Sequence, residues 1–129
     1  MPSMEVSQKA AMMLDALPEA DETACEAVKY DVGKPRYDLV PWDALEEVVK
    51  VLNHGALKYN DRNWESGMDW SRMFAAGMRH DVAFWQKLED EDPESGLPHL
   101  AHSICCRLFL LAYFLREEGN DDRPGWKLL

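Results

Sequence analysis

No stretch of this 129-residue chain approaches the ~20 consecutive apolar residues needed to span a bilayer, and no signal-peptide core opens it. A membrane partner is therefore not expected. Three cysteines cannot all pair with one another, and Cys105 and Cys106 are adjacent within a helical pattern, where a mutual bridge is geometrically poor. A reducing cytoplasm is the simplest compartment. Positive charge is scarce too. Lys and Arg number 14 against 24 Asp and Glu, a net charge of -10 with His neutral, and such a field repels a polyanion, so nucleic acid is not an expected partner. A phosphorylated small molecule would need a local cationic pocket or a bridging metal. Gly-rich phosphate loops of the Walker or dinucleotide type, CxxC pairs and a Ser nucleophile elbow are all missing. So are internal repeats, low-complexity tracts and the alternating pattern of strands. The fold class that remains is all-α, a compact helical bundle.

The length fits one domain, and the pattern divides it into three parts. Residues 1–32 form a variable N-terminal segment. A helix is expected in it over Val6 to Leu17, ending at Pro18 and followed by Glu19, Asp21, Glu22 and Glu26. The breaker Gly33-Lys34-Pro35-Arg36 opens a helical domain over 33–118, and 119–129 is an irregular tail with Pro124 and Trp126. Within the domain, Pro41 to Tyr59 predicts a helix with Trp42, Leu45, Val48, Val49, Leu52 and Ala56 on one face. A second helix is expected from Asp69 or Ser71 to Leu88, with a stripe of Phe74, Gly77, Met78, Val82, Trp85 and Leu88. The third, Leu97 to Glu117, is apolar nearly all round, which marks the central helix of a bundle, and Gly119 fits its C-cap.

Ionisable groups interrupt these faces. His99, His102 and Cys106 form one row at i, i+3 and i+7, and two such histidines can ligate a metal or clamp phosphate oxygens. Taken singly, each is as readily a core histidine bonded to a carbonyl or water. Asp81 falls within the apolar stripe beside His80. It needs a partner, and an ion pair with Arg79 or Arg107 serves as well as a wet cleft. Glu46 flanks the first helix's stripe, whereas Glu47 falls outward with Asp43 and His54, as a solvated face would. The run Glu89-Asp90-Glu91-Asp92-Pro93-Glu94 places five carboxylates just before the His-bearing helix, as Mg2+ or Mn2+ ligands or as charge favourable to a helix N-terminus. Lys58 and Arg62 beside Tyr59 and Trp64 read either as a phosphate-plus-base pocket or as ordinary surface pairs and core aromatics. Metal-assisted hydrolysis is the chemistry best matched to clustered acids and histidines.

Four blocks carry a family resemblance: Lys34-Pro35-Arg36-Tyr37-Asp38-Leu39-Val40-Pro41; Gly55-Ala56-Leu57-Lys58-Tyr59 with Asn63-Trp64; Arg79-His80; and Asp92-Pro93-Glu94-Ser95-Gly96-Leu97-Pro98-His99-Leu100-Ala101-His102. Over about Lys34 to Leu115 the chain resembles the phage dATP/dGTP diphosphohydrolases, akin to the MazG-like all-α nucleotide pyrophosphohydrolases. The resemblance implies cleavage of a purine deoxynucleoside triphosphate to the monophosphate and pyrophosphate with Mg2+ or Mn2+, in the host cytoplasm if the chain is phage-encoded. MazG-type helices carry EExxE and ExxD motifs. Glu46-Glu47 matches the first two positions of one, with Lys50 in the third; the spacing of the other occurs at Glu89 and Asp92, in a segment that reads as loop.

The expected assignments follow. Metal ligands come from Glu46, Glu47, Asp92, Glu94, His99 and His102. His80, Glu47, Lys58 and Arg79 are catalytic, His80 as proton acceptor and the cations as stabilisers of the leaving group. Lys34, Arg36, Lys58, Tyr59, Arg62, Asn63 and Trp64 bind substrate, Tyr59 and Trp64 by stacking on the base. A homo-oligomer, dimer or tetramer, is expected to complete an exposed cleft. Two alternatives stand beside this reading: an HD-type metal-dependent phosphohydrolase built on His80-Asp81, and a non-catalytic acidic helical module.

Overall fold

The computed structural model describes residues 26–125, which fall into two units divided between Val40 and Pro41. The helix expected over Val6 to Leu17 and Trp126 of the tail lie outside the described residues. In the first unit, Lys34 N–H donates to Asp31 O at 3.1 Å, and the Arg36 guanidinium grips Asp38 through two bonds of 2.7 Å, followed by a 3-10 turn at Tyr37–Leu39.

The second unit is all-α. Its helices are α1 (Trp42–Tyr59), α2 (Trp70–Trp85) and α3 (His99–Arg116), with a 3-10 turn at Asn63–Ser66 and no strand beyond two isolated bridges among the described residues. None of these helices is long and apolar enough to cross a membrane. α1 starts just after Pro41, whose carbonyl accepts the Leu45 N–H, and stops at Asn60, whose φ of 120° leaves the helical region. α3 is the middle helix, packed against both α1 and α2. Towards α1 it contributes Ala101, Cys105 and Phe109 to a core with Leu45, Val48 and Val51. Tyr113 is fully buried, and its hydroxyl donates to Trp64 O at 2.6 Å, tying the loop after α1 to α3.

Three sequence expectations change. α2 ends at Trp85, three residues short, because Leu88 takes a left-handed φ of 53° and Glu89 N–H reaches back to Ala83 O at 3.0 Å. Its buried face is Met73, Gly77 and Ala83, while Phe74, Met78, Val82, Trp85 and Leu88 are exposed. The small residue Gly77 decides this rotation: a Cβ there would sit 3.3 Å from Cys106 Cβ, so the backbones approach closely along that line and His80 turns inward. At the end of α3 the left-handed cap is Glu117, and Glu118 N–H closes the turn on Tyr113 O. Gly119 does something else. Its φ is 73°, and a Cβ would lie 2.6 Å from Met68 O, where the tail pairs with the start of α2. α3 also keeps an open side, along Leu100, Ile104, Leu108, Leu111 and Leu115.

Candidate active site

All four histidines of the chain meet in one place, His54 from α1, His80 from α2, and His99 and His102 from α3. The His80 and His102 rings stack at 4.5 Å with 10° between their planes, and His54 meets His102 edge-on at 6.3 Å. His80 Nδ1 and His99 Nδ1 face each other at 2.8 Å. His99 is only 4% exposed, so its ring has no bulk water to turn to.

The loop between α2 and α3 brings the carboxylates. Asp92 N–H donates to Leu97 O, Gly96 N–H to Asp92 O, and His99 N–H to Asp90 O, so the segment closes as a tight turn across the α3 N-terminus. Within it, Asp92 Oδ2 accepts the Ser95 N–H at 3.0 Å, and Ser95 Oγ lies 2.7 Å from His102 Nε2 while accepting the Leu97 N–H. Asp92 Oδ2 is 3.8 Å from His102 Nε2, and Glu89 Oε1 is 3.1 Å from His99 Nε2. Ligand atoms of His80, Asp92 and His99 all lie within 4.8 Å of one another. Burial chiefly, with the neighbouring imidazoles, lowers the pKa of His80 and of His102. Burial alone would raise Asp92, but the Ser95 amide and hydroxyl and the nearby imidazoles outweigh it and lower the value. Neutral imidazoles beside an ionised carboxylate suit a divalent cation.

His54, His80, Asp92 and His102 open on a cleft of about 1410 Å3, larger than the usual range for small-molecule sites. Lys58, Arg62, Asn63, Trp64, Arg72 and Arg79 line it. Lys58 Nζ is bound to Glu94 Oε1 at 2.6 Å and sits 5.2 Å from the Tyr59 ring centre. Arg62, Arg72 and Arg79 form no ion pair among the described residues, although acids outnumber bases in the chain.

The structure thus gathers His80, Asp92, His99 and His102, with Lys58, Glu94 and Arg79 on the same cleft. Other expected residues lie elsewhere or have other partners. Glu46 and Glu47 do not join the histidines; Glu47 pairs with Lys50 at 2.7 Å instead. Trp64 stacks on Phe109 at 4.6 Å, with the Arg116 guanidinium 5.1 Å from its ring centre, so its indole is occupied by the fold. Lys34 and Arg36 belong to the other unit, and Arg36 is engaged by Asp38. Asp81 accepts from Ser103 Oγ and pairs with Arg107 at 3.3 Å, the structural ion pair rather than a partner for His80 in a metal dyad. His54 turns inward rather than out. Arg72, Ser95 and the role of Glu89 were not picked out from the sequence. The i, i+7 spacing of Arg72 and Arg79 would have signalled the first, and the Glu89/Asp92 spacing marked the third.

Comparison with known proteins supplies the family. The sequence profile described as dATP/dGTP diphosphohydrolase, N-terminal, matches residues 25–123. The chain belongs to this dATP/dGTP diphosphohydrolase N-terminal family. A relative named dATP/dGTP diphosphohydrolase, from Salmonella phage PMBT28, is 35% identical over 96 residues, covering 74% of this chain and 32% of the relative. The chain therefore spans about a third of the length of that curated relative. No solved structure matches it. As a member of the family, it has the family match running through every residue of the histidine cluster and its loop.

Proposed function

We propose that this chain hydrolyses purine deoxynucleoside triphosphates, dATP or dGTP, to the monophosphate and pyrophosphate with the help of a divalent cation. The observation that carries this reading is the shared cleft. A histidine and carboxylate cluster fit for a cation shares its cleft with Arg72 and Arg79, which have no ionic partner among the described residues of an acidic chain. The choice of purine deoxynucleotides comes from the family and from the relative's name.

A bound cation neutralises triphosphate charge and polarises water. The chain's own residues do the rest. Water attacks the α-phosphorus, the bond from that phosphorus to the α,β-bridging oxygen breaks, and pyrophosphate leaves with the electron pair. Arg72, Arg79 and Lys58 stabilise the charge that grows on it. His80 and His99 would hold the cation through the Nδ1 atoms they turn towards each other, so the proton of the water goes to His102, whose Nε2 is fixed by Ser95. With Trp64 packed on Phe109, Tyr59, exposed at the end of α1, is the aromatic available to a base. A homo-oligomer belongs to the same reading, supported by the open apolar row of α3; light scattering on the purified chain tests it.

Product analysis tests the hydrolysis. Incubation with dGTP and Mn2+ is expected to release dGMP and pyrophosphate in equal amounts. Deoxyguanosine with tripolyphosphate would establish the HD-type reaction instead, and intact dGTP the non-catalytic module.

A further inference from the structure

We infer that the cation held by His80, Asp92 and His99 is a later first-row transition ion such as Co2+ or Zn2+, and not Mg2+. This assignment rests on reading the cluster as a cation site and deepens it. Mg2+ demands a nearly complete shell of oxygen donors, whereas imidazole nitrogen favours the borderline transition ions. The cluster offers two imidazoles and a single carboxylate. Carboxylates that would convert it into an oxygen cage are committed elsewhere: Glu47 to Lys50, Glu94 to Lys58, and Glu89 to the far nitrogen of His99.

That last contact is the second observation. An acid on Nε2 sets the proton of a neutral His99 ring on that nitrogen and leaves the Nδ1 lone pair facing His80. Carboxylate, imidazole and ion in series is the arrangement by which proteins orient histidine ligands to transition metals. Spacing agrees as well. Two nitrogens each ~2.1 Å from one ion stand about 3–3.4 Å apart, so the rings need only open slightly to admit it. His80 and His99 present theirs at 2.8 Å. Without a proton or a cation the two lone pairs would repel each other, in a pocket where His99 is shut off from water.

The test is titration of the full, chelator-treated chain with Co2+ and separately with Mg2+, without nucleotide, followed by calorimetry and by visible absorption for Co2+. Co2+ is expected to bind at least about tenfold more tightly than Mg2+ and to develop a d–d band. His80→Gln should abolish the band, and Glu89→Gln should weaken Co2+ binding about tenfold. Joint replacement Glu46→Gln and Glu47→Gln should leave it unchanged. Equal or tighter binding of Mg2+, a band that survives both His80→Gln and Asp92→Asn, or loss of binding in the Glu46/Glu47 variant would each overturn the assignment. If His80→Gln does not fold by circular dichroism, nitrogen hyperfine coupling to Mn2+ bound by the unaltered chain decides: its presence supports the site and its absence refutes it. A chain that takes up Co2+ yet leaves dGTP intact refutes the hydrolysis and keeps the ion.

Discussion

His80 and His99 face each other through their Nδ1 atoms at 2.8 Å, although 19 positions of helix end and turn-rich loop separate them in sequence. Gly77 makes the meeting possible by letting α2 approach α3, and the loop turn places Asp92 beside the pair. The hairpin-like loop is thus as much a part of the site as the helices.

Ser95 is the residue of that loop with most to lose. Its hydroxyl accepts from Leu97 N–H and holds His102 Nε2. Ser95→Ala should cost about 1 kcal/mol of stability while lowering kcat by about tenfold, part of the roughly 10²–10⁴-fold that a positioned general base supplies. Thermal melts and steady-state kinetics on dGTP measure the two; a loss of stability with kcat intact would make the contact structural.

Arg72 and Arg79 stand two turns apart on the cleft side of α2, with Ala75 and Ala76 lining the cleft between them. Replacing either by Ala should lower kcat/KM for dGTP by about tenfold or more, with kcat itself reduced, each charge-assisted bond being worth about 1.5–3 kcal/mol. Inhibition by added pyrophosphate should weaken in parallel, and inhibition by deoxyguanosine should not. Equal weakening of both would place the arginines away from the phosphates.

Asp81 is expected to matter for folding alone. It holds Ser103 and Arg107, and both ionic partners are over a third exposed. Asp81→Asn should lower stability by roughly 1 kcal/mol or less and leave kcat and KM unchanged. A selective loss of activity would revive the His80-Asp81 dyad.

Burial pushes the Cys105 thiol up to about 12. Because the thiolate is the reacting form, the folded chain should show no reaction of Cys105 with a disulfide reagent at pH 8, and denaturant should release it. Peptide mapping after labelling reads this directly; rapid labelling of Cys105 in the native chain would contradict the packing of α3 against α1.

Much of the fold was legible because helix periodicity and punctuation are local. Pro41, Asn60 and the apolar spacing of α1 and α3 fixed the boundaries to within a residue or two. The face of α2 was not legible, since a hydrophobic stripe says which residues are apolar and not which neighbour comes near. Gly77, the residue that set the rotation, carries no hydrophobic signal of its own. In the site, His80, Asp92, His99 and His102 stand out as chemistry-bearing types, whereas Glu46 and Glu47 enter only through the partial match to EExxE, their adjacency itself pointing to a solvated face. Adjacency on a helix sends side chains about 100° apart and brings nothing together. Glu89 escaped because its partner lies across a turn whose closure depends on backbone bonds.

Gly55 separates stability from function most sharply. It lies inside α1, where glycine costs roughly 0.5–1 kcal/mol relative to Ala, and a Cβ there would meet nothing within 4 Å. No packing within the described residues requires the missing methyl, yet the position lines the cleft alongside His54 and Lys58. Space kept open at that expense is where the proposed substrate would pass. Gly55→Ala should therefore raise the melting temperature, by a few degrees for about 0.5–1 kcal/mol in a chain of this size, and raise KM for dGTP several-fold. A variant that is more stable and equally active would mean that the nucleotide does not pass between α1 and α2 at this level of the cleft.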